Sequence, residues 1–294
     1  MANHDGNGWT RCGLGHRHWG LFGAAGLLAC APDGAGRDLV LLQRRNWWGN
    51  HGGTWGPPGG ARDSHESAVT AALREAAEEC DIPADAVSVR GILLDDHGGW
   101  SYQTVIGVAP APFEARSASP ETSDAAWVAA AEVERLALHP GFAAQWPALR
   151  DSLHPVTIIV DVANVMGSRP DGWWRDRAGA AARLRAELTA LAGQGVPDLP
   201  DSMRTPALER WFPDYVLVLE GAARRAAQEN GGDASAGDRV RIVSASGLGD
   251  DAIADLASQV AGRRLVVTAD RELRERCLSA GASVTGPGWL LRQL

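Results

Sequence analysis

The sequence predicts an α/β protein built from two domains. Its 294 residues exceed the size of most single domains. In residues 155–294, short segments rich in valine and isoleucine alternate with helical segments, which is typical of a doubly wound parallel sheet. Residues 19–154 instead contain a hairpin, a glycine-rich loop, a helix and several later strands. Pro155 ends the helical run before it and marks the boundary, and residues 1–18, rich in Gly and His, are expected to form a flexible terminus.

The composition describes a soluble globular protein. Apolar residues make up 45% of the chain, and no stretch approaches the ~18 apolar residues of a membrane span, so no membrane partner is expected. The four cysteines are scattered without a C-x-x-C pair, which argues against a disulfide framework and a structural zinc site and favours a cytoplasmic location. Residues 1–154 hold 11 Arg and 18 acidic residues, whereas residues 155–294 hold 17 Arg and 18 acidic residues. The acidic first half suits a metal site better than a nucleic-acid groove.

The elements of the first half follow from hydrophobic patterns and turn residues. Strands are predicted at Ala24–Ala31 and Leu39–Arg45, joined by a turn at Pro32–Gly34, and a short strand at Thr54–Gly56 precedes the glycine-rich loop. The remaining predicted elements are a helix over His65–Cys80, strands over Val87–Leu94, Gln103–Val108 and Trp127–Val128, and helices over Val133–Leu138 and Ala143–Leu153.

The second half is predicted to contain buried strands and crossover helices. The strands are Val156–Val160, Tyr215–Leu219, Val240–Val243 and Leu265–Val267. The helices are Gly179–Ala192, Asp251–Val260 and Arg271–Ala280. A sheet of this kind binds its ligands beyond the carboxyl ends of its strands.

Three glutamates of the first helix indicate a metal site. Glu75, Glu78 and Glu79 fall within about 100° of arc, because positions i, i+3 and i+4 share one face of a helix. Carboxylates this close repel one another unless a cation lies between them, and hard oxygen ligands suit Mg²⁺ or Mn²⁺. The Pro57–Gly60 segment forms a tight loop whose backbone can approach a ligand closely.

A plainer interpretation of the ALREAAEE segment is an ordinary solvated helix with an Arg74–Glu78 ion pair. Such runs are common on helix surfaces. Gly60 and Glu66, at fixed distances ahead of the glutamates, favour the functional interpretation.

The first helix and the loop before it closely resemble the signature of Nudix hydrolases, G-x5-E-x7-R-E-x-x-E-E, which is formed here by Gly60, Glu66, Arg74, Glu75, Glu78 and Glu79. The resemblance implies an α/β/α sandwich that cleaves the pyrophosphate bond of a nucleoside triphosphate, or of a nucleoside diphosphate linked to another group. It implies that the last three glutamates and the Gly60 carbonyl hold Mg²⁺ or Mn²⁺, that Arg74 orients the carboxylates, and that Glu66 supports them. One glutamate or the metal would activate water. Oxidised purine triphosphates, nucleotide sugars and dinucleotides are candidate substrates.

Asp81 departs from this signature, where the family usually has glycine. The position is expected to end the helix in a left-handed conformation, which Asp tolerates less well than Gly. Some family members recruit a further acid from outside the signature, and Glu121 or Asp124 could serve here.

Several tryptophans lie in or beside the Nudix-like region: Trp47, Trp48, Trp55 and Trp100. Each could stack a nucleobase, although a single tryptophan is more often part of a core. His51 and His97 begin HGG triplets and receive no role.

Acidic residues recur at the ends of the predicted strands of the second half: Asp161, Glu220, Asp250, Asp251 and Asp270. Gathered at one crevice, they would form a second metal site suited to phosphodiester cleavage. Several also begin helices, where capping and the helix dipole explain an acid without any metal. Capping does not explain Asp161, which ends a buried strand and precedes Asn164 by three residues.

The motifs DVANV and VVTADREL resemble the NYN branch of PIN-like nucleases, a likeness that spans nearly all of residues 155–294. It implies a parallel-sheet PIN-like domain that binds or cleaves RNA. The candidate RNA-binding residues are Asn164, Arg169, Trp173, Trp174, Arg175 and Arg177, since arginines hold phosphates and indoles stack bases. Alternatively, this Arg-Trp loop packs on its own domain through cation–π contacts.

Three functions therefore remain open from sequence. The first is a Nudix hydrolase with an RNA-related second domain. The second is an RNA-binding protein or ribonuclease whose Nudix-like half senses a nucleotide. The third is a pseudoenzyme scaffold, against which the intact glutamates argue. The oligomeric state stays open.

Overall fold

A computed structural model describes residues 4–224 and 239–294. The chain divides into two compact units. The N-terminal unit comprises residues 1–153 with Pro206–Glu209, and the C-terminal unit comprises His154–Thr205 and Arg210–Leu294. Within the described part of the chain, no helix is both long enough and apolar enough to span a membrane.

The N-terminal unit is a mixed sheet with helices. Its elements are β1 (Trp9–Arg11), β2 (Arg17–Trp19), β3 (Ala24–Pro32), β4 (Asp38–Arg45), β5 (Trp55–Gly56), β6 (Gly59–Ala61), α1 (Ala68–Cys80), β7 (Ser88–Asp96), β8 (Ser101–Val108), β9 (Thr122–Ala129), a 3-10 turn (Ala130–Arg135) and α2 (Pro140–Arg150). The predicted strands and the two long helices are confirmed, with ends shifted by a few residues. Val133–Leu138, predicted as a helix, forms only the 3-10 turn.

Strand β3 is the centre of this sheet, whose neighbouring strands follow the order β7-β8-β3-β4-β5. It pairs parallel with β8 from Ala24 to Cys30, antiparallel with β6 through Ala24–Gly26, and antiparallel with β4 through Cys30–Pro32. Its residues from Ala24 to Ala31 are buried, as expected for a strand covered on both faces. Because β6 pairs with β3, the glycine-rich loop is fixed against the core.

Helix α1 packs on β3 through buried small residues, and its ends follow from local chemistry. The Ser67 hydroxyl accepts from the backbone N–H of Thr70, so the helix begins after Ser67 rather than at His65. At the other end Asp81 adopts φ 56° and ψ 36°, which confirms the predicted left-handed termination.

Residues 9–19 contradict the expectation of a flexible terminus, while residues 1–3 lie outside the described part of the chain. Strands β1 and β2 form an antiparallel hairpin in which the Trp9 and Trp19 rings meet edge to face at 5.5 Å. The preceding segment is also anchored, since the Gly6 N–H donates to the Asp63 carboxylate at 2.9 Å. Glycines and histidines suggested disorder, but here they build a tight turn and its contacts.

The C-terminal unit is an open parallel sheet. Its elements are β10 (Val156–Asp161), α3 (Val162–Gly167), a 3-10 turn (Trp173–Arg175), α4 (Arg177–Gln194), a 3-10 turn (Asp201–Met203), β11 (Arg210–Trp211), β12 (Asp214–Leu219), a 3-10 turn (Gly221–Arg224), β13 (Val240–Ser244), α5 (Gly249–Gln259), β14 (Arg263–Val267), α6 (Arg271–Ser279), β15 (Ser283–Thr285) and α7 (Pro287–Leu291).

Five of these strands pair in the order β13-β12-β10-β14-β15, all parallel. Strands β12 and β14 therefore flank β10, and the chain winds outward in both directions, as in doubly wound sheets. One face packs its buried side chains against α5 and α6 in a cluster that includes Ile159 and Val266. Helix α4 packs against β12 and β13 through leucines outside that cluster, which indicates the opposite face.

Candidate active site

Arg74 forms ion pairs with three glutamates in and before α1. Its guanidinium donates to both carboxylate oxygens of Glu66, at 2.8 and 2.9 Å, and to Glu75 at 2.8 Å. It also donates to the Ala61 carbonyl at 3.0 Å, and Glu78 lies 3.4 Å away. The bidentate pair lowers the pKa of Glu66 chiefly through its hydrogen bonds from Arg74. One arginine thus orients three carboxylates and ties α1 to β6.

Glu79 is buried, with 7% of its surface exposed, because it lies on the side of α1 that faces the sheet. Its Oε2 accepts from the Gly59 N–H and from Gln43 Nε2, both at 2.7 Å. Gln43 is fixed in turn, since its Oε1 accepts from the Thr122 hydroxyl. Burial raises the pKa of Glu79 to about 7, with a further contribution from the charge of Glu75. Both hydrogen bonds fall on Oε2, which leaves Oε1 for a proton or a ligand.

Gly60 lies directly against Glu75. A Cβ at position 60 would stand 2.7 Å from the carboxyl atoms of Glu75, so a larger residue would displace this carboxylate. The pairing of Gly60 with Ala25 of β3 holds it in that place. Burial is also the main cause of the raised pKa of Glu75, and the charges of Glu78 and Glu121 add to it.

The donor set fits a divalent cation. Glu66 is neutralised by its bidentate pair with Arg74. Glu79 is buried and Glu75 is partly buried, and burial opposes the charge of both carboxylates. Glu78 is about half exposed, at 48% of its side chain, and can reach a ligand from solvent. These carboxylates, with the nearby Gly60 carbonyl, are hard oxygen donors of the kind that Mg²⁺ and Mn²⁺ prefer.

A cavity of about 180 Å³ opens beside Glu79. Gln43 and Gly59, the two partners of Glu79, are part of its lining, as are Trp100, Tyr102 and Phe142. Of the tryptophans proposed to stack a base, only Trp100 lines this cavity; Trp47 is 83% exposed. Gln43, Tyr102 and Phe142 were not identified from sequence, because they come from three separate elements brought together by the sheet.

The two candidate additional acids occupy different positions. Glu121 is exposed but near enough for its charge to contribute to the raised pKa of Glu75. Asp124 lies in β9 opposite Arg44 of β4.

The acids of the C-terminal unit converge on the carboxyl edge of its sheet. Asp161 is buried and accepts from the Thr268 hydroxyl at 2.8 Å and from the Asn164 amide at 2.6 Å. Burial raises the pKa of Asp250, and the charges of Asp161, Asp270 and Glu220 raise it further. These four acids therefore share one electrostatic environment.

Asp251 does not join the other four acids. It bonds Arg276 of α6 at 2.8 Å, because adjacent helix positions are about 100° apart and Asp250 occupies the inward one. Capping explains part of the set: Asp270 accepts from the Leu273 N–H, and Glu220 accepts from the Gly249 N–H. The expectation that capping does not apply to Asp161 is wrong, because its carboxylate accepts from the Asn164 N–H and caps α3.

The candidate RNA-binding residues are partly engaged within their own unit. Arg169 pairs with Glu187 at 2.6 Å, and the Arg177 guanidinium lies 5.4 Å from the centre of the Trp173 ring. These contacts agree with the alternative of an Arg-Trp loop packed on its own domain. Trp174, at 58% exposure, and Arg175 project into solvent.

Comparison with known proteins identifies relatives of the first half of the chain. Residues 21–151 match the family model of the NUDIX domain. The putative 8-oxo-dGTP diphosphatase 3 of Mycobacterium tuberculosis (strain H37Rv) is 43% identical over 160 residues, which cover 52% of this chain and 72% of that protein.

Two further relatives cover about half of this chain. A nucleoside triphosphate pyrophosphatase/Nudix hydrolase fusion protein of Bifidobacterium longum is 36% identical over 150 residues, covering 50% of this chain and 31% of that protein. Among solved structures, the Nudix hydrolase RenU from M. smegmatis is 44% identical, with a TM-score of 0.47, and covers 50% of this chain and 94% of that chain.

Proposed function

This chain belongs to the Nudix family, and we propose that its N-terminal unit hydrolyses the pyrophosphate bond of a nucleoside triphosphate, with oxidised purine nucleotides as the first substrates to test. The name of the mycobacterial relative, putative 8-oxo-dGTP diphosphatase 3, supports this choice. The products would be a nucleoside monophosphate and pyrophosphate. A nucleoside diphosphate linked to another group is the wider substrate class.

The proposal rests mainly on the hydrogen bonds and ion pairs that hold the carboxylates in and before α1 in fixed positions. Arg74 fixes Glu66 and Glu75, while Glu79 is held by Gly59 beside the cavity. An ordinary solvated helix would leave such residues exposed and weakly paired. Here Glu75 and Glu79 are largely withdrawn from water, a cost that a bound cation and a reaction would justify.

We assign distinct roles to the residues of the site. Glu75, Glu78, Glu79 and the Gly60 carbonyl would hold Mg²⁺ or Mn²⁺, which when bound offsets the negative charge of the diphosphate and favours ionisation of water. Arg74 keeps the carboxylates in position, and Glu66 keeps Arg74 in place. One glutamate or the metal would activate water, and Glu79 Oε1, which accepts neither of the two hydrogen bonds to this carboxylate, is available for either role.

The cavity offers a place for the base. The aromatic residues Trp100 and Phe142 line it, and the polar lining residue Gln145 is held by Thr104 and Asp95. An apolar cavity with a few fixed polar groups suits a purine.

The test is release of pyrophosphate from a panel of ordinary and oxidised nucleoside triphosphates with Mg²⁺ or Mn²⁺. Wild type should hydrolyse at least one of them, and Glu79→Gln should lower kcat by about 10²–10⁴-fold. Glu114→Gln, at an exposed position, is the matched control and should retain full activity. Equal rates for wild type and Glu79→Gln would contradict the assigned role.

We propose for the C-terminal unit a PIN-like (NYN) domain, residues 155–294, that binds or cleaves RNA. The shared electrostatic environment of Asp161, Glu220, Asp250 and Asp270 supports it. Asp161→Asn should abolish RNA cleavage and spare nucleotide hydrolysis. RNA cleavage equal to wild type would leave these acids as helix caps and structural groups.

A further inference from the structure

Four potential metal ligands meet beside the cavity of the N-terminal unit: Cys12, His16, His18 and His97. One ligand atom from each lies within 4.8 Å of the ligand atoms of the other three. Cys12 is a buried free thiol, and both His18 and His97 are half-buried. None of the four belongs to the carboxylate site of α1.

We propose that Cys12, His16, His18 and His97 bind one zinc ion in a four-coordinate structural site. Thiolate and imidazole are the donors that zinc prefers, whereas Mg²⁺ and Mn²⁺ prefer the oxygen donors of α1. Four protein ligands fill a tetrahedral zinc site and leave no position for substrate, as in structural rather than catalytic sites.

The spacing of the ligand atoms agrees with a tetrahedron. Zinc–nitrogen bonds of about 2.0 Å place two ligand nitrogens about 3.3 Å apart. The observed separation of His97 Nδ1 and His18 Nε2 is 3.2 Å. A thiolate and an imidazole nitrogen on the same ion would be about 3.6 Å apart, so a modest inward movement within the 4.8 Å cluster completes the site.

The backbone already joins the two segments that supply the ligands. Cys12 and His16 bracket the β1–β2 turn, where the Cys12 N–H donates to the His16 carbonyl at 3.1 Å. The Gly13 N–H then donates to the Gly98 carbonyl at 2.5 Å, which brings this turn onto the β7–β8 turn that carries His97. Ordering of the four side chains therefore costs less than in an open loop.

Asp95 and Trp100 orient two of the histidine rings toward the other ligands. His97 Nε2 lies 3.2 Å from the Asp95 carboxylate, which leaves Nδ1 facing His18. A carboxylate on the remote nitrogen is the usual partner of a metal-bound histidine. The His18 ring stacks on Trp100 with centroids 3.8 Å apart and planes 8° from parallel.

The same residues form one wall of the cavity, since His18, Asp95, His97 and Trp100 all line it. Bound zinc would hold that wall in one conformation, so the site links the terminal hairpin to the shape of the proposed base pocket.

The first test is the zinc content of the full chain, purified without chelators and with any affinity tag removed, by mass spectrometry. We expect one zinc per wild-type chain and none in Cys12→Ser or His16→Asn; His16 is exposed, so this variant should still fold. His154→Asn, at another exposed histidine, and Glu79→Gln should keep one zinc. Wild type that takes up no zinc from a metal buffer, or variants that retain it in full, would overturn the proposal.

The second test identifies the thiolate without relying on a variant. Cobalt(II) in the wild-type chain should give thiolate-to-cobalt charge-transfer absorption and the intense visible bands of tetrahedral cobalt. A mercurial that blocks thiols should release the zinc to a colorimetric chelator in a 1:1 ratio with the chain. Octahedral cobalt bands without charge transfer, or zinc retained after thiol blocking, would exclude Cys12 as a ligand.

Discussion

The two groups of acidic residues in this chain differ in which elements supply their members. In the N-terminal unit, Glu75, Glu78 and Glu79 come from one helix, and Arg74 of the same helix pairs with the first two. In the C-terminal unit, Asp161, Glu220, Asp250 and Asp270 come from four places that a parallel sheet brings to one edge. Arg276, whose charge acts on Asp250, bonds Asp251 instead.

This difference shows two ways to stabilise close carboxylates. The first group depends on a partly buried guanidinium, so its charge balance is ionic and local. The second depends on neutral donors, such as Thr268 and Asn164 to Asp161 and a backbone N–H to Glu220. Removal of single residues should therefore affect the two groups differently.

Removal of the two arginines should give the largest contrast. Arg74→Met leaves Glu66 and Glu75 without their cation, and we expect the free energy of unfolding to fall by about 3 kcal/mol, with hydrolysis abolished. Arg276→Met removes an exposed pair and should leave stability unchanged. Urea unfolding of both variants makes the comparison. Equal losses would mean that Arg74 is no more important than a surface arginine.

Removal of a buried negative charge should also distinguish the two groups, but in this case the variant of the N-terminal group is expected to be more stable than wild type. The folded-state pKa of Glu79, about 7, exceeds its ordinary value of 4.5, so the folded chain retains a proton that the unfolded chain releases between these values. The contribution of Glu79 to the free energy of unfolding is therefore fully present below pH 4.5 and is lost as the pH rises through 7. Without divalent metal at pH 8, Glu79→Gln should be more stable than wild type by about 1–3 kcal/mol.

Asp161→Asn is the counterpart. Burial is also the main cause of the raised pKa of Asp161. However, the Asp161 carboxylate accepts hydrogen bonds from Asn164 and Thr268, and the amide of an asparagine at this position cannot accept all of them. We therefore expect no gain in stability at pH 8. Thermal unfolding of both variants at pH 5 and pH 8 is the measurement. A gain for Asp161→Asn as large as that for Glu79→Gln would remove the distinction drawn between ionic and neutral support.

Gly60→Ala tests the close approach of the loop to the helix acids. The added methyl group would meet the carboxyl atoms of Glu75 at 2.7 Å, so this carboxylate must shift, and we expect at least about a tenfold loss of kcat/KM. Gly34→Ala, where nothing lies within 4 Å of the added atom, is the matched control. Full activity of Gly60→Ala would mean that the separation of Gly60 and Glu75 is not needed for the reaction.

The smallest effect is expected at His139, in the cavity wall. Burial, followed by the charges of His51 and Arg45, lowers its pKa from 6.5 to about 4, so the unfolded chain binds the extra proton first as the pH falls. Stability should decrease between pH 6.5 and pH 4, and His139→Asn should reduce this decrease while still capping α2 at Gly141. Melting temperatures across this range, with His154→Asn as control, test the assignment.

Local patterns were enough to predict α1, strands β3, β4, β7 and β8, and the left-handed Asp81. They missed β6, because its glycines indicated a loop. They did not reveal the cavity, since Gln43, Tyr102 and Phe142 carry no motif of their own. They were also wrong about residues 9–19, where composition suggested disorder. The absence of paired cysteines argued against a structural zinc site, but that criterion does not apply to the proposed cluster of one cysteine and three histidines.

The sequence by itself determined the order of the carboxylates and the arginine on α1, because a helix has a fixed period and needs no distant partner to set it. Tertiary structure decided which of those carboxylates lost water. Glu79 is buried because β4 and β6 bring Gln43 and Gly59 to it across 36 and 20 residues. The same is true of Asp161 with Thr268, 107 residues away. Such contacts depend on strand register across the whole sheet, which no short segment of sequence specifies.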